Sequence, residues 1–359
     1  MGAEYDGLRD YIERAEPDLL ARVGNEPIKY RKNTRSRLVS ALLTPADEWT
    51  MVVDPGQVPD LVAADVDVVC HMGCHVIQTP HVVDATVDLL ESFDLTVVPL
   101  GGFNNCCGSL DLRQGTFDDA ERVDDVRFRN VETFDPDYLI TECTSCFANT
   151  ARFSSTYRSF DGYEFSSMIA FLHERRDRLA DLVEVEEPVT VAFHDHFDPS
   201  QWTPARQGEL ARELFEALPG VEVVEMEHAL EDALPCNFLA DPSSYDCEDL
   251  TATVYEEAIE AGADVLVNFW HACHRHMVPY ESRYPVQTEN YATFLAERLG
   301  FAYRDKTREY KLAALAGDVD WIIEDARPVF EANGLSEAQA RDVVEAHLTP
   351  GRFGPFETA

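Results

Sequence analysis

Six of the nine cysteines lie between Cys70 and Cys146, and their spacing is the main chemical signal in the chain. The stretch reads Cys70-His71-Met72-Gly73-Cys74, then Asn105-Cys106-Cys107-Gly108, then Cys143-Thr144-Ser145-Cys146. Between Cys74 and Cys106 lie 31 residues, and between Cys107 and Cys143 lie 35. A single upstream cysteine, an adjacent pair and a Cys-x-x-Cys form a set of five thiols. Thiolates that converge in space hold iron–sulfur clusters, whose potential is tuned by burial and hydrogen bonding. Zinc takes four ligands in a tetrahedron, usually from two Cys-x-x-Cys-like pairs, and is a poor match to five thiolates of which two are adjacent. Neighbouring cysteines more easily serve two metal atoms of an extended cluster, and a disulfide relay would not need five. The residues therefore favour iron–sulfur, with zinc and unmetallated thiols as the open alternatives.

Such a set needs elements that bring distant cysteines to one place. Val66–Cys70 reads as a short strand, Pro80–Phe93 as an amphipathic helix and Leu95–Leu100 as a second strand. Phe117–Phe134 reads as a charged helix, and Tyr138–Thr141 as a third strand running straight into Cys143. Strands alternating with helices predict an α/β unit with a mainly parallel sheet. Each cysteine group then follows the carboxyl end of a strand, where the loops of open α/β sheets converge on a shared crevice. Cys143 and Cys146 fall at a helix start, where free amides favour thiolate over thiol. Gly101-Gly102 belongs to no phosphate-loop pattern and reads as a turn that lets backbone approach the site.

The second half repeats the first. Asp137–Cys146 aligns with Asp264–Cys273, Val66–Cys74 with Val189–Phe197, and the strand Leu95–Leu100 with Val221–Met226. The predicted fold class is accordingly α/β: two tandem, pseudo-repeated parallel-sheet domains with helical N- and C-terminal extensions. The expected boundaries are 1–65 for the N-terminal extension, 66–180 for the cysteine-rich domain, 188–300 for the repeat and 301–359 for a helical tail. Within the extensions, Tyr5–Val23 has helical spacing with a break at Pro17, Thr34–Leu43 reads as a short helix, and Val319–Asn333 and Ser336–His347 as helices. In the repeat most thiol positions are replaced: Phe197 stands for Cys74, Trp270 for Cys143, and Cys236 alone for the pair.

Composition bounds the setting. The chain has 359 residues, 67 acidic against 29 basic, for a net charge of -38. The acids are scattered rather than gathered in a tail, which suits a surface hydrated in a salty cytoplasm, where molar salt shortens the Debye length to about 3 Å. This reads as a protein of a salt-loving organism, and the charge argues against nucleic acid as a partner. No run of 18 apolar residues offers a membrane span, and the acidic N-terminus lacks the apolar centre of a signal peptide. A cytoplasmic location follows, in which thiols stay reduced and serve metal or redox work.

The pattern Gly73-Cys74, Cys106-Cys107-Gly108 and Cys143-x-x-Cys146 resembles the cysteine-rich CCG domain of the heterodisulfide reductase B-subunit family. The resemblance is specific over residues 66 to 150 and extends weakly to about residue 300. It implies that Cys74, Cys106, Cys107, Cys143 and Cys146 hold a noncubane [4Fe-4S] cluster. It further implies an iron–sulfur oxidoreductase, or one component of such a complex, that reduces a disulfide or relays electrons at that cluster. Full-length reductases carry two such domains, whereas the altered repeat here leaves one cluster. Single-cluster relatives of the domain occur in electron-transfer subunits of succinate, fumarate, lactate and glycolate oxidoreductases. The chain has no ferredoxin-type cysteine run, so its electrons would come from a flavoprotein or ferredoxin-type partner, and a small disulfide or thiol is the expected substrate. A non-catalytic zinc-binding interaction protein is the competing class.

Around the five thiols, Cys70 reads as a buried strand-end bystander. His71 and His75 either donate to cluster sulfurs and move protons or simply satisfy loop backbone. The repeat also gathers His194, Asp195, His196, Cys236, Cys247, His271, Cys273, His274 and His276, a mixture of imidazole, thiol and carboxylate that suits zinc in the second domain.

Overall fold

The computed structural model describes residues 7–15, 28–48, 51–195, 205–234 and 247–348. Phe197, His196 and Cys236, and the predicted helical residues 16–23, lie outside the described residues. Two four-stranded parallel sheets form the frame, which establishes two tandem α/β domains. The first sheet has strands β1 (Val68–Gly73), β2 (Val97–Gly101), β3 (Tyr138–Thr141) and β4 (Glu164–Ser167), in the order β2-β1-β3-β4. The second has β5 (Val189–His194), β6 (Val221–Val223), β7 (Val265–Asn268) and β8 (Gln287–Asn290), in the order β6-β5-β7-β8.

The registers reproduce the sequence repeat residue for residue. Cys70 pairs with Ile140 and His71 with Thr141; Phe193 pairs with Val267 and His194 with Asn268. The outer strands β4 and β8 are absent from the sequence reading. They are short and polar (Glu-Phe-Ser-Ser and Gln-Thr-Glu-Asn), so they carry no apolar run to betray them. Their ends match as well. Ser167 caps the helix Met168–His173 through the Ala170 amide, and Asn290 caps Tyr291–Arg298 through the Ala292 amide.

The helix Pro80–Glu91 starts on a proline, whose missing N–H costs nothing in the first turn. Its face of Val82, Val83, Leu89 and Leu90 is at most 1 % exposed, each side chain contributing about 1.5–3 kcal/mol of burial. That face packs on Tyr291–Arg298 of the second half, while Met168–His173 of the first half packs on Ala205–Glu216. One apolar core consequently runs through both sheets, from Val68 and Ile140 to Val191 and Leu266. Cys70 lies in it, fully buried with its Sγ 3.6 Å from Met72 Sδ.

The two extensions meet. Within the N-terminal extension, Leu8–Ala15 is helical inside the expected Tyr5–Val23 segment, and a second helix, Ile28–Ser40, starts earlier and ends earlier than the Thr34–Leu43 expected, its first turns being basic in sequence. Val39, Leu42 and Leu43 share a core with Tyr310, Ile322, Phe330 and Val344 of the helices Lys306–Leu315, Val319–Ala332 and Glu337–His347. Ser336 and Gln339 form a capping box at the last of these. No helix among the described residues is long and apolar enough to cross a membrane.

Candidate redox centre at the carboxyl ends of β1, β2 and β3

The five cysteines of the sequence pattern come together. Cys74 follows β1, Cys106 and Cys107 follow β2 through a single 3-10 turn, and Cys143 caps the helix Thr144–Asn149 after β3. Cys106 is within hydrogen-bonding range of Cys74 and Cys107, and Cys146 of Cys107 and Cys143. All five are 2–8 % exposed and unpaired by disulfides. The Cys74 and Cys107 thiols are held well below the usual range by thiol donors, with His75 assisting at Cys74 and the Arg127 guanidinium at Cys107. Cys106 and Cys146, which supply those donors, are pushed up. A buried set that shares protons in this way carries its negative charge partly formed, as metal-binding thiolates require.

Glycine is obligatory at two points. Gly73 has φ +78, and a Cβ there would stand 3.3 Å from Cys146 Sγ, in the space between the thiols. Gly108 has φ +75, and a Cβ would meet the Ala120 carbonyl oxygen at 2.6 Å. Gly108→Ala is expected to cost about 1–3 kcal/mol in backbone strain alone, and to displace the cysteine pair because the obstacle is backbone. Thermal unfolding of the metal-free chain reads the first effect and iron retention the second.

The cysteine-pair loop is pinned by polar groups that the sequence reading passed over. Asn105 is buried; its amide donates to Gly101 O (2.7 Å) and Val53 O (3.1 Å) and its Oδ1 accepts from Asn130 (2.7 Å). Asn149 Nδ2 donates to Cys107 O at 2.7 Å. His71 serves the loop backbone, with Nε2 2.7 Å from Asn105 O. Burial and Arg127 pull its pKa down to about 3, so the ring is neutral, and bonding to a carbonyl places its proton on Nε2. Arg127 itself is fully buried, paired with Asp124 by two guanidinium contacts, and acts on Cys107 and Cys146 as a fixed positive charge.

The second half forms the wall opposite. A cavity of about 60 Å³ is lined by Cys74, Cys107, Cys143 and Cys146 and, across from them, by Trp270, His271 and Arg275. Trp270 takes the N-cap position of Cys143 in the repeat, so the degenerate loop roofs the intact one. Arg275 Nη1 donates to His75 O at 2.7 Å; burial and Arg35 bring its pKa down to about 9, while Cys74 and Cys143 pull the other way. Arg113 also reaches the cavity. His75 Nδ1 bonds Ser36 Oγ at 2.6 Å, leaving Nε2 without a partner, and His271 Nδ1 is likewise unpartnered. Arg275, Arg113 and Arg127 were legible only as rare cations in a strongly acidic chain.

The remaining expectations for the second half disperse. Asp195 is bound by Arg212, which also grips Glu225, and His194 ends β5. Cys273 is fully buried in the shared core. Cys247 opens the helix Cys247–Glu260. Among the described residues, His271 and His274 reach candidate sites, and different ones.

Fold and site together define a tandem α/β protein with a thiol-lined crevice. The family model of the CCG cysteine-rich domain matches residues 68–150 and again residues 196–278. The first match takes in β1 to β3 and the second β6 and β7, one match in each sheet, and they support a metal-binding or iron–sulfur redox role. No curated protein matches the chain.

Proposed function

We propose that the chain is a redox protein similar to the heterodisulfide reductase B-subunit family, with Cys74, Cys106, Cys107, Cys143 and Cys146 holding one noncubane [4Fe-4S] cluster. The observation that carries this reading is a connected set of five buried thiols, one more than zinc uses: four line one cavity, and Cys106 is within hydrogen-bonding range of two of them, Cys74 and Cys107. The residues fit the group: partly ionised sulfurs, a glycine keeping the space between them clear, and a buried guanidinium beside them. When bound, the cluster supplies electron transfer at a potential set by burial and nearby charge.

The chain's own residues prepare the cavity for a small disulfide or thiol. Arg275 and Arg113 attract an anionic group to it, and Trp270 with Leu110 excludes water. His75 Nε2 and His271 Nδ1 are the imidazole atoms placed to hold or pass a proton when a thiol forms. Electrons come from a flavoprotein or ferredoxin-type partner. Trp270 in place of Cys143 favours a second reading, because one cluster suffices to relay electrons within a succinate, fumarate, lactate or glycolate oxidoreductase complex. Anaerobic purification with iron and sulfide quantification and a low-temperature EPR spectrum tests both. About four iron and four sulfide per chain are expected. A colourless protein with one zinc and no acid-labile sulfide would overturn the redox reading in favour of a zinc-binding interaction protein.

A further inference from the structure

A second cluster of ligand-type side chains lies where the two halves and the C-terminal helices meet. His81 comes from the helix Pro80–Glu91, His274 from His271–Met277 and Glu289 from β8. One ligating atom of each lies within 4.8 Å of the others, and all three residues are buried. Asp305, the N-cap of Lys306–Leu315, holds this group in place. It accepts from His274 Nε2 at 2.6 Å and from the Arg308 amide at 3.0 Å. That bond puts the His274 proton on Nε2 and leaves Nδ1 as a lone pair with no partner. His81 is 3 % exposed, and neither of its ring nitrogens makes a hydrogen bond, although Nδ1 lies 3.3 Å from Asp305 Oδ1.

Buried imidazole nitrogens left unsatisfied cost free energy, which points to something they bind. The charges agree. Glu281, Glu289 and Asp305 set three carboxylates against the guanidinium of Arg308. The next cation, Lys311, gives its ammonium to the Arg275 carbonyl. A divalent ion offsets that difference. The carboxylate–histidine pair of Asp305 and His274 is the usual outer support of a metal-bound imidazole. An access route exists as well: His81 lines a cavity of about 340 Å³ between residues 43–48 and 302–306.

From this convergence we propose that His81, His274 and Glu289 bind a divalent ion of the zinc class that ties the first half to the second half and to the C-terminal helices. Two imidazoles and a carboxylate suit zinc, with the fourth position left to water. The site is independent of the thiol set and stands or falls separately from it.

The test uses the full chain, loaded anaerobically with iron and sulfide, treated with a chelator and titrated with Co²⁺ or Zn²⁺. One equivalent of Co²⁺ is expected to bind with visible d–d bands and without a thiolate-to-cobalt charge-transfer band. Zn²⁺ should raise the melting temperature. His81→Asn and Glu289→Gln should each weaken binding by at least about tenfold, and remove the metal-dependent rise in melting temperature while keeping the circular dichroism of the parent. Absence of metal-dependent change in the parent chain overturns the proposal without recourse to any variant. So does Co²⁺ binding only with a thiolate band, or unaltered affinity in both variants.

Discussion

Cys107→Ser is expected to abolish cluster retention: after anaerobic reconstitution, iron and acid-labile sulfide should fall to under about a tenth of the parent value, with loss of the broad visible absorption. Cys107 stands between Cys106 and Cys146, and its thiol is the one held down by the Arg127 guanidinium as well as by thiol donors. A serine hydroxyl there keeps the volume but does not ionise near neutral pH, so it would not supply the anionic sulfur that a metal needs. Cys70→Ala is the matched comparison. Cys70 is equally buried but belongs to the apolar core, beside Met72, and burial pushes its thiol up. Its replacement should leave the iron content at the parent level. Equal iron loss in the two variants, measured against circular dichroism to confirm folding, would sink the assignment of the five-thiol set.

The second large effect is expected on stability. Arg127→Met leaves Asp124 buried with only Ser154 (2.7 Å) and Tyr157 (3.0 Å) as partners, and an uncompensated buried charge costs about 3–5 kcal/mol. The loss should appear as a lower denaturant midpoint at fixed salt. The double variant Asp124→Leu/Arg127→Met should recover much of it, because the penalty lies in the orphaned charge rather than in the absent pair. The same single substitution removes the cation beside Cys107 and Cys146, so any cluster there becomes harder to reduce and its midpoint potential moves negative. A single variant within about 1 kcal/mol of the parent would mean that water reaches Asp124.

Much of this was legible in the sequence, and the exceptions have physical causes. The strand-to-cysteine order, the helices Pro80–Glu91 and Phe117–Glu132, and the repeat were readable because apolar periodicity and thiol spacing are local signals. The strands β4 and β8 were not, since a short polar strand at a sheet edge is specified by its neighbour's hydrogen bonds. The helix Lys306–Leu315 escaped because its buried face is built from Thr307, Tyr310 and Lys311 rather than an apolar stripe. At the site, the thiols announced themselves, but Asn105, Asn149, Arg127 and Arg275 did not. Each acts through a contact 25 or more residues distant or through charge, and no pattern in a single chain encodes such pairings. Of the residues named for zinc in the repeat, His274 lies beside His81 and Glu289, which no local pattern links to it and one of which comes from the other half.

The reciprocal helix packing between the halves has a historical meaning. Pro80–Glu91 meets the helix after β8, and its counterpart Ala205–Glu216 meets the helix after β4. Each half thus offers the same two surfaces and receives the same two, the self-complementary arrangement of a two-fold homodimer. An ancestor of half this length would have paired with its own copy through these helices, placing two thiol loops face to face. Fusion of two such halves would free one loop from the demand that both stay identical, and in this chain the segment around Trp270 and Arg275 forms the wall of its twin's cavity.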